Sequence, residues 1–104
     1  MDNTEIKSLA KERAKLCQVF GNVQRVLIVW ALGDKEVSVG DIASAIDASL
    51  QNTSQHLRLM KDKGILESRR DGQTVYYRVA DNERVRSCNV LLHMRESDPA
   101  RELT

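Results

Sequence analysis

A chain of 104 residues, 41% apolar and 30% charged, has room for one domain, and its composition is that of a helix-rich globular protein and not of a disordered chain. No stretch approaches the roughly 18 uninterrupted apolar residues of a membrane span, and Met1-Asp2-Asn3-Thr4-Glu5 is no basic leader, so a cytoplasmic protein with no membrane partner is expected. The formal net charge of +1 is unevenly spread: Ser49 to Val79 holds six basic residues (Arg58, Lys61, Lys63, Arg69, Arg70, Arg78) against three acidic ones (Asp62, Glu67, Asp71), which makes it +3 and the remainder −2.

From about Thr4 to Phe20, Ile6, Leu9, Ala10, Leu16, Cys17 and Phe20 fall on one side of a 3.6-residue wheel, which predicts an amphipathic first helix. Gly21-Asn22 breaks the pattern. Val23 to Leu32 (VQRVLIVWAL) is apolar almost all round, the mark of a central buried helix, and Gly33 suits the left-handed position that ends it. Ser38, three residues before Asp41, begins a short helix with Val39, Ile42, Ala43 and Ile46 on its stripe. After Asp47-Ala48, Ser49 caps a second helix running to about Lys63, with Thr53, Leu57 and Met60 inside and Gln51, Asn52, Ser54, Gln55 and Arg58 outside. Together these two form a helix-turn-helix over about 38–63.

After Gly64 the period changes from 3.6 to 2, in Ile65-Leu66-Glu67-Ser68-Arg69 and again in Thr74-Val75-Tyr76-Tyr77-Arg78-Val79. The intervening Asp71-Gly72 predicts a β-hairpin over about 65–79. Asp81 is read as the cap of a last helix, about 82–95, with Val85, Cys88, Leu91 and Leu92 as its apolar side and Pro99 beyond it. The expected fold is mainly α, an α+β winged helix of four helices, a two-stranded hairpin and a C-terminal helix, in one domain over 1–104. A core this small and poor in aromatics, with apolar faces on both terminal helices, is expected to gain further burial from a partner subunit.

A helix-turn-helix followed at once by a hairpin places the second helix in the DNA major groove and the hairpin, the wing, on adjacent backbone. Gln51, Asn52 and Gln55 carry amides that pair with adenine edges, Ser54 serves bases or phosphates, and Arg58 reaches a phosphate or a guanine one turn on. His56, next to Leu57 near the inner face, is placed to pack or to touch a phosphate. Arg69 and Arg70 supply phosphate contacts from the strand before the turn, and Gln73 adds one at the wing tip.

The run Ser49 to Asp81 resembles the recognition helix and wing of the ArsR/SmtB family of metal- and stress-responsive repressors. Ser49, Ser54 with His56-Leu57, Gly64, Arg69-Arg70, Gly72 and Val75-Tyr76-Tyr77-Arg78 carry the resemblance. Upstream, Phe20 to Leu32 with Arg25 is similar to the helix after the family's Asp-Pro-x-Arg signature, although Asn22 and Val23 replace Asp and Pro. The resemblance implies a repressor that dimerises through its first and last helices, binds an imperfect palindrome in double-stranded DNA and is released by an inducer.

It also implies where a sensor would lie. The family's soft-metal site puts two thiolates in a Glu-Leu-Cys-Val-Cys-Asp-Leu context, and Glu36 to Ile42 matches it with Ser38 and Gly40 at the two cysteine positions, so that site is missing. A second family site draws on the last helix, where Asp81, Glu83, His93 and Glu96 are similar to its ligands, with Glu83 where a His is usual and the spacing to His93 one residue short. Cys17 and Cys88, both on helices assigned to the dimer interface, are candidates for a reversible disulfide or an arsenic site; Val29 and Trp30 occupy the stretch where sulfur-sensing relatives carry their other thiol. The expected state is therefore without a resident cofactor, with a metal ion or thiol-reactive inducer as the signal. The alternatives are a winged-helix protein-interaction module and a constitutive DNA-binding protein without a sensor. An enzyme is not expected, since the sequence has no Gly-rich phosphate loop, nucleophile elbow or carboxylate pair in a catalytic context.

Overall fold

The computed structural model describes residues 3–86. Helix α1 (Asn3–Val19) brings a buried Val19 and a partly buried Phe20 to the core, whereas Ile6, which its spacing put on the apolar stripe, is 49% exposed. Helix α2 (Val23–Leu32) begins at Asn22, whose side-chain oxygen accepts from the backbone N–H groups of Gln24 at 2.9 Å and Arg25 at 3.4 Å. The break expected at Gly21-Asn22 is therefore also a helix cap. Gly33 ends α2 at φ 55°, a conformation that L side chains rarely adopt, and its N–H reaches the Val29 carbonyl at 2.9 Å.

Ser38 ends a short strand, β1 (Val37–Ser38), and caps α3 (Val39–Ala45), its hydroxyl accepting from Asp41 N–H at 3.2 Å. A tight turn follows, with Asp47 in the left-handed region at φ 53° and Ala48 N–H bonded to the Ala43 carbonyl at 3.0 Å. Helix α4 (Leu50–Asp62) starts at Ser49, whose hydroxyl accepts from Asn52 N–H at 3.1 Å. Both predicted serine caps are present, and α4 ends within a residue of its expected limit.

Strands β2 (Leu66–Asp71) and β3 (Thr74–Val79) form the wing in antiparallel register from Leu66↔Val79 to Asp71↔Thr74. Because Asp71 is itself paired, the connecting loop is Gly72-Gln73, with the positive φ of 63° on Gly72. That is the type II′ pattern, not a turn centred on Asp-Gly. The hairpin is extended by β1, which pairs Val37 with Tyr77 and Ser38 with Tyr76, giving a three-stranded sheet in the order β1-β3-β2. Two residues are too few for a periodic signal, so this strand was not foreseen.

The core gathers Ile28, Val29 and Leu32 of α2, Ile42 of α3, Leu57 and Met60 of α4, and Ile65, all at 0% exposure. Helix α5 is described over Glu83–Arg86. Its cap is Asn82, not Asp81: the Asn82 side chain accepts from Val85 N–H at 2.9 Å and donates to the Gly64 carbonyl at 2.9 Å, while Asp81 turns outward to Arg86 at 2.6 Å. Asn82 wins because one amide both accepts and donates, which a carboxylate cannot do. The rest of the expected last helix, with Cys88, Leu91, Leu92, His93 and Glu96, lies outside the described residues.

Thr53 is fully buried, and its hydroxyl oxygen has no hydrogen-bond partner. Thr53→Val removes that orphaned group at nearly constant shape and is expected to add about 1 kcal/mol of stability, read as a rise of about 4–8 °C in Tm. A fall in Tm would contradict the orphaned hydroxyl.

Candidate nucleic-acid interface

Burial of Thr53, Leu57 and Met60 turns the opposite side of α4 to solvent. Gln51, Asn52, Gln55 and Arg58 are exposed and Ser54 is partly buried. None of these five side chains is engaged with another described residue. The helix thus presents a row of unsatisfied amides and one guanidinium, the donor and acceptor set that reads base edges. Leu50, its first residue, is 58% exposed. That apolar surface beside the amides went unremarked in the sequence, where one leucine at a helix start carries no signal.

The structure separates the two wing arginines. Successive residues of a strand face opposite sides of a sheet, so Arg69 lies with Glu67, Tyr76 and Arg78 on one face and Arg70 on the other. Arg69 is held: its Nε donates to Glu36 Oε1 at 3.0 Å, its Nη2 donates to the same oxygen at 2.5 Å, and its guanidinium lies 4.7 Å from the centroid of Tyr76. The Arg69 hydrogen bond is the main cause that lowers the Glu36 carboxyl below its ordinary range, and the same bond raises the Arg69 guanidinium. Both groups are therefore charged at neutral pH. Beside them, Glu67 and Arg78 pair at 2.8 Å. Arg70 and Gln73 are exposed and make no such contacts among the described residues. Glu36 is the residue that sequence reasoning missed here, because nothing local connects it to a strand 33 positions away.

His56 sits at the edge between the inner and outer sides of α4. Its Nδ1 accepts from Arg25 Nε at 3.2 Å, and Arg25 Nη1 donates to the Val19 carbonyl at 3.4 Å. Burial, and then the Arg25 charge, lowers the imidazole pKa below its ordinary value. The ring is neutral at pH 7.

The metal and redox candidates lie only partly within the described residues. Asp81 is in an ion pair with Arg86, Glu83 begins α5, and Cys17 belongs to α1, while Cys88, His93 and Glu96 lie outside the described residues. Among the described residues no three His, Cys, Asp or Glu side chains converge on one point, and no helix is long and apolar enough to cross a membrane.

A family model described as a helix-turn-helix domain matches residues 25–69. The chain is 37% identical over 101 residues to a cadmium resistance transcriptional regulatory protein CadC homolog of Staphylococcus aureus, covering 90% of this chain and 83% of that one. It is 35% identical over 69 residues to the HTH-type transcriptional regulator KmtR of Mycobacterium tuberculosis, a match over 66% of this chain and about half, 52%, of that protein. Among solved structures, a homodimeric winged helix-turn-helix DNA-binding domain from Mycobacterium bovis, described as a possible ArsR-family transcriptional regulator, superposes with a TM-score of 0.71 at 27% identity, covering 89% of this chain and 85% of that one.

Two outcomes are expected from this geometry. Arg70→Ala flattens the slope of log affinity for DNA against log salt by about one, and Arg69→Ala, whose charge Glu36 already neutralises, flattens it less; equal flattening would show that Arg69 leaves Glu36 for a phosphate. For His56, a folded pKa below the unfolded value means stability that is present above about pH 6.5 and lost as pH falls through the folded value. Comparing Tm from pH 7 downward in the wild type and in His56→Asn isolates that part, and parallel curves would refute it.

Proposed function

The chain belongs to the ArsR/SmtB family of winged helix-turn-helix transcriptional regulators, a DNA-binding class without enzymatic activity, and from that premise we propose that it represses transcription as a homodimer on a palindromic operator. Two copies of α4 enter successive major grooves about one helical turn apart, related by the two-fold axis of the dimer. Gln51, Asn52 and Gln55 address base edges, Ser54 and Arg58 a base or phosphate, and Leu50 offers apolar surface to a thymine methyl. Arg70 and Gln73 hold the backbone from the wing, and His56 holds it from the flank of α4.

The observation that carries this reading is the division of α4 itself. One side is closed off from water, and the other holds polar groups with no partner among the described residues.

The repressor is released, in this proposal, by a metal ion or thiol-reactive inducer acting away from the start of α3. There the Ser38 hydroxyl is committed to Asp41 N–H, and Gly40 has no ligand atom. Cys17 and Cys88 are the thiols available to such an inducer. Asp81, Glu83, His93 and Glu96 form the weaker set, because Arg86 already holds the Asp81 carboxylate. Operator affinity measured with and without added metal, and with and without thiol reductant, tests the sensor.

Titration against the chain's own promoter fragment and against random DNA tests the reading of α4. Gln55→Ala is expected to cost about 1–3 kcal/mol on the operator and to relax the preference at one base pair. Equal affinity of the wild type for both DNAs at moderate salt would overturn sequence-specific regulation.

A further inference from the structure

The flank of α4 that carries His56 also carries Asn52, Leu59 and Lys63, at the spacing of a 3.6-residue helix. Leu59 and Lys63 line a shallow cavity of about 200 Å³ together with Gln18 and Val19 from the end of α1 and Arg25 from α2. Arg25 therefore stands where three helices meet. Its backbone N–H is bonded to the Asn22 side chain at 3.4 Å, its Nη1 to the Val19 carbonyl at 3.4 Å, and its Nε to His56 Nδ1 at 3.2 Å. A planar guanidinium donates in several fixed directions at once, which suits it to a junction of this kind.

The hydrogen bond to His56 decides where the imidazole proton is. A neutral imidazole has one N–H and one bare nitrogen. Since Nδ1 accepts from Arg25, the proton is on Nε2. Protonating Nδ1 would turn the acceptor into a second donor facing a cation, so the contact and the neutral state support one another. Among the described titratable groups, Arg25 is the one whose charge acts on the ring.

We infer that Arg25 is a positioning residue for DNA recognition: by holding His56 at Nδ1 it fixes the rotation of α4 about its own axis and reserves Nε2–H as the ring's donor to a phosphate oxygen. Arg25 acts through His56 and does not itself touch DNA. The packing of Leu57 and Met60 is non-directional and tolerates small rotations, whereas a hydrogen bond to one ring nitrogen does not. The inference rests on the proposed reading of DNA by α4.

A double-mutant cycle in the full chain tests it, with operator affinity, Tm and long-range 1H–15N NMR of the His56 ring as readouts. Arg25→Gln is expected to weaken operator binding roughly tenfold in the wild-type background and less than about twofold in His56→Ala. In Arg25→Gln the His56 ring is expected to lose its exclusive Nε2–H tautomer and to titrate at higher pH. Arg25→Lys, which keeps the charge without the fork, does not restore affinity. His56→Gln and His56→Asn divide the two functions of the ring, the first placing an amide near the Nε2 position and the second near Nδ1; each is expected to lose part of the affinity. A loss from Arg25→Gln that is the same in both backgrounds would overturn the inference, as would no loss in either, or an Nδ1–H tautomer in the wild type. Should Gln55→Ala leave operator binding unchanged, the reading of α4 falls, and this inference falls with it; a Gln55 effect without Arg25–His56 coupling sinks the inference alone.

Discussion

Thr53, Leu57 and Met60 are closed off from solvent on one side of α4, against a wall that includes Ile28, Leu32, Ile42 and Ile65. Turning the helix by a single residue step would bring Leu57 and Met60 toward water, at a cost of roughly 1.5–3 kcal/mol for each side chain fully exposed. The apolar side therefore sets which face of the helix looks outward, to within small rotations, before any polar group is considered. Everything that reads as recognition follows from that: Gln51, Gln55 and Arg58 point outward because they lie opposite the buried row.

Polar contacts refine what apolar burial sets coarsely, and they do so between elements. Glu36 and Arg69 join the segment before β1 to the wing, and Ser38 belongs at once to a strand of the wing's sheet and to the cap of α3. Arg25 and His56 join α2 to α4. The helix-turn-helix and the hairpin, consecutive in sequence, are thereby held as one body at their two ends: near the start of α3 through β1, and after α4 through Ile65, whose carbonyl accepts from Ala80 N–H at 2.8 Å. Reading a groove and its neighbouring backbone together needs such a body, since phosphate contacts help only when they keep register with base contacts.

Much of this was legible in the sequence because it is local. The serine caps of α3 and α4, the apolar run of α2 and the change of period at the wing each depend on residues a few positions apart. The inner face of α4 was read correctly for the same reason. What escaped depends on distance or on competition. Strand β1 exists only because Tyr76 and Tyr77 offer it a partner. The occupation of Arg69 needs Glu36, and the tautomer of His56 needs Arg25 from 31 positions away. At the start of α5, Asp81 and Asn82 are both competent caps by composition, and the carbonyl of Gly64, distant in sequence, decides between them. Among the site residues of α4, which side of the helix each occupies was legible, whereas which side chains were already held by a distant partner was not.

Among the described residues, strand β2 has a neighbour on one side alone, in the order β1-β3-β2. Its other edge is open backbone, the kind of surface on which a second chain adds a strand and aggregation begins. Yet four of its six residues, Glu67, Arg69, Arg70 and Asp71, are charged, and stacking another strand there would crowd ionised groups together in a dry ladder. The wing can thus project from the body with bare hydrogen-bonding groups along its rim and still stay single.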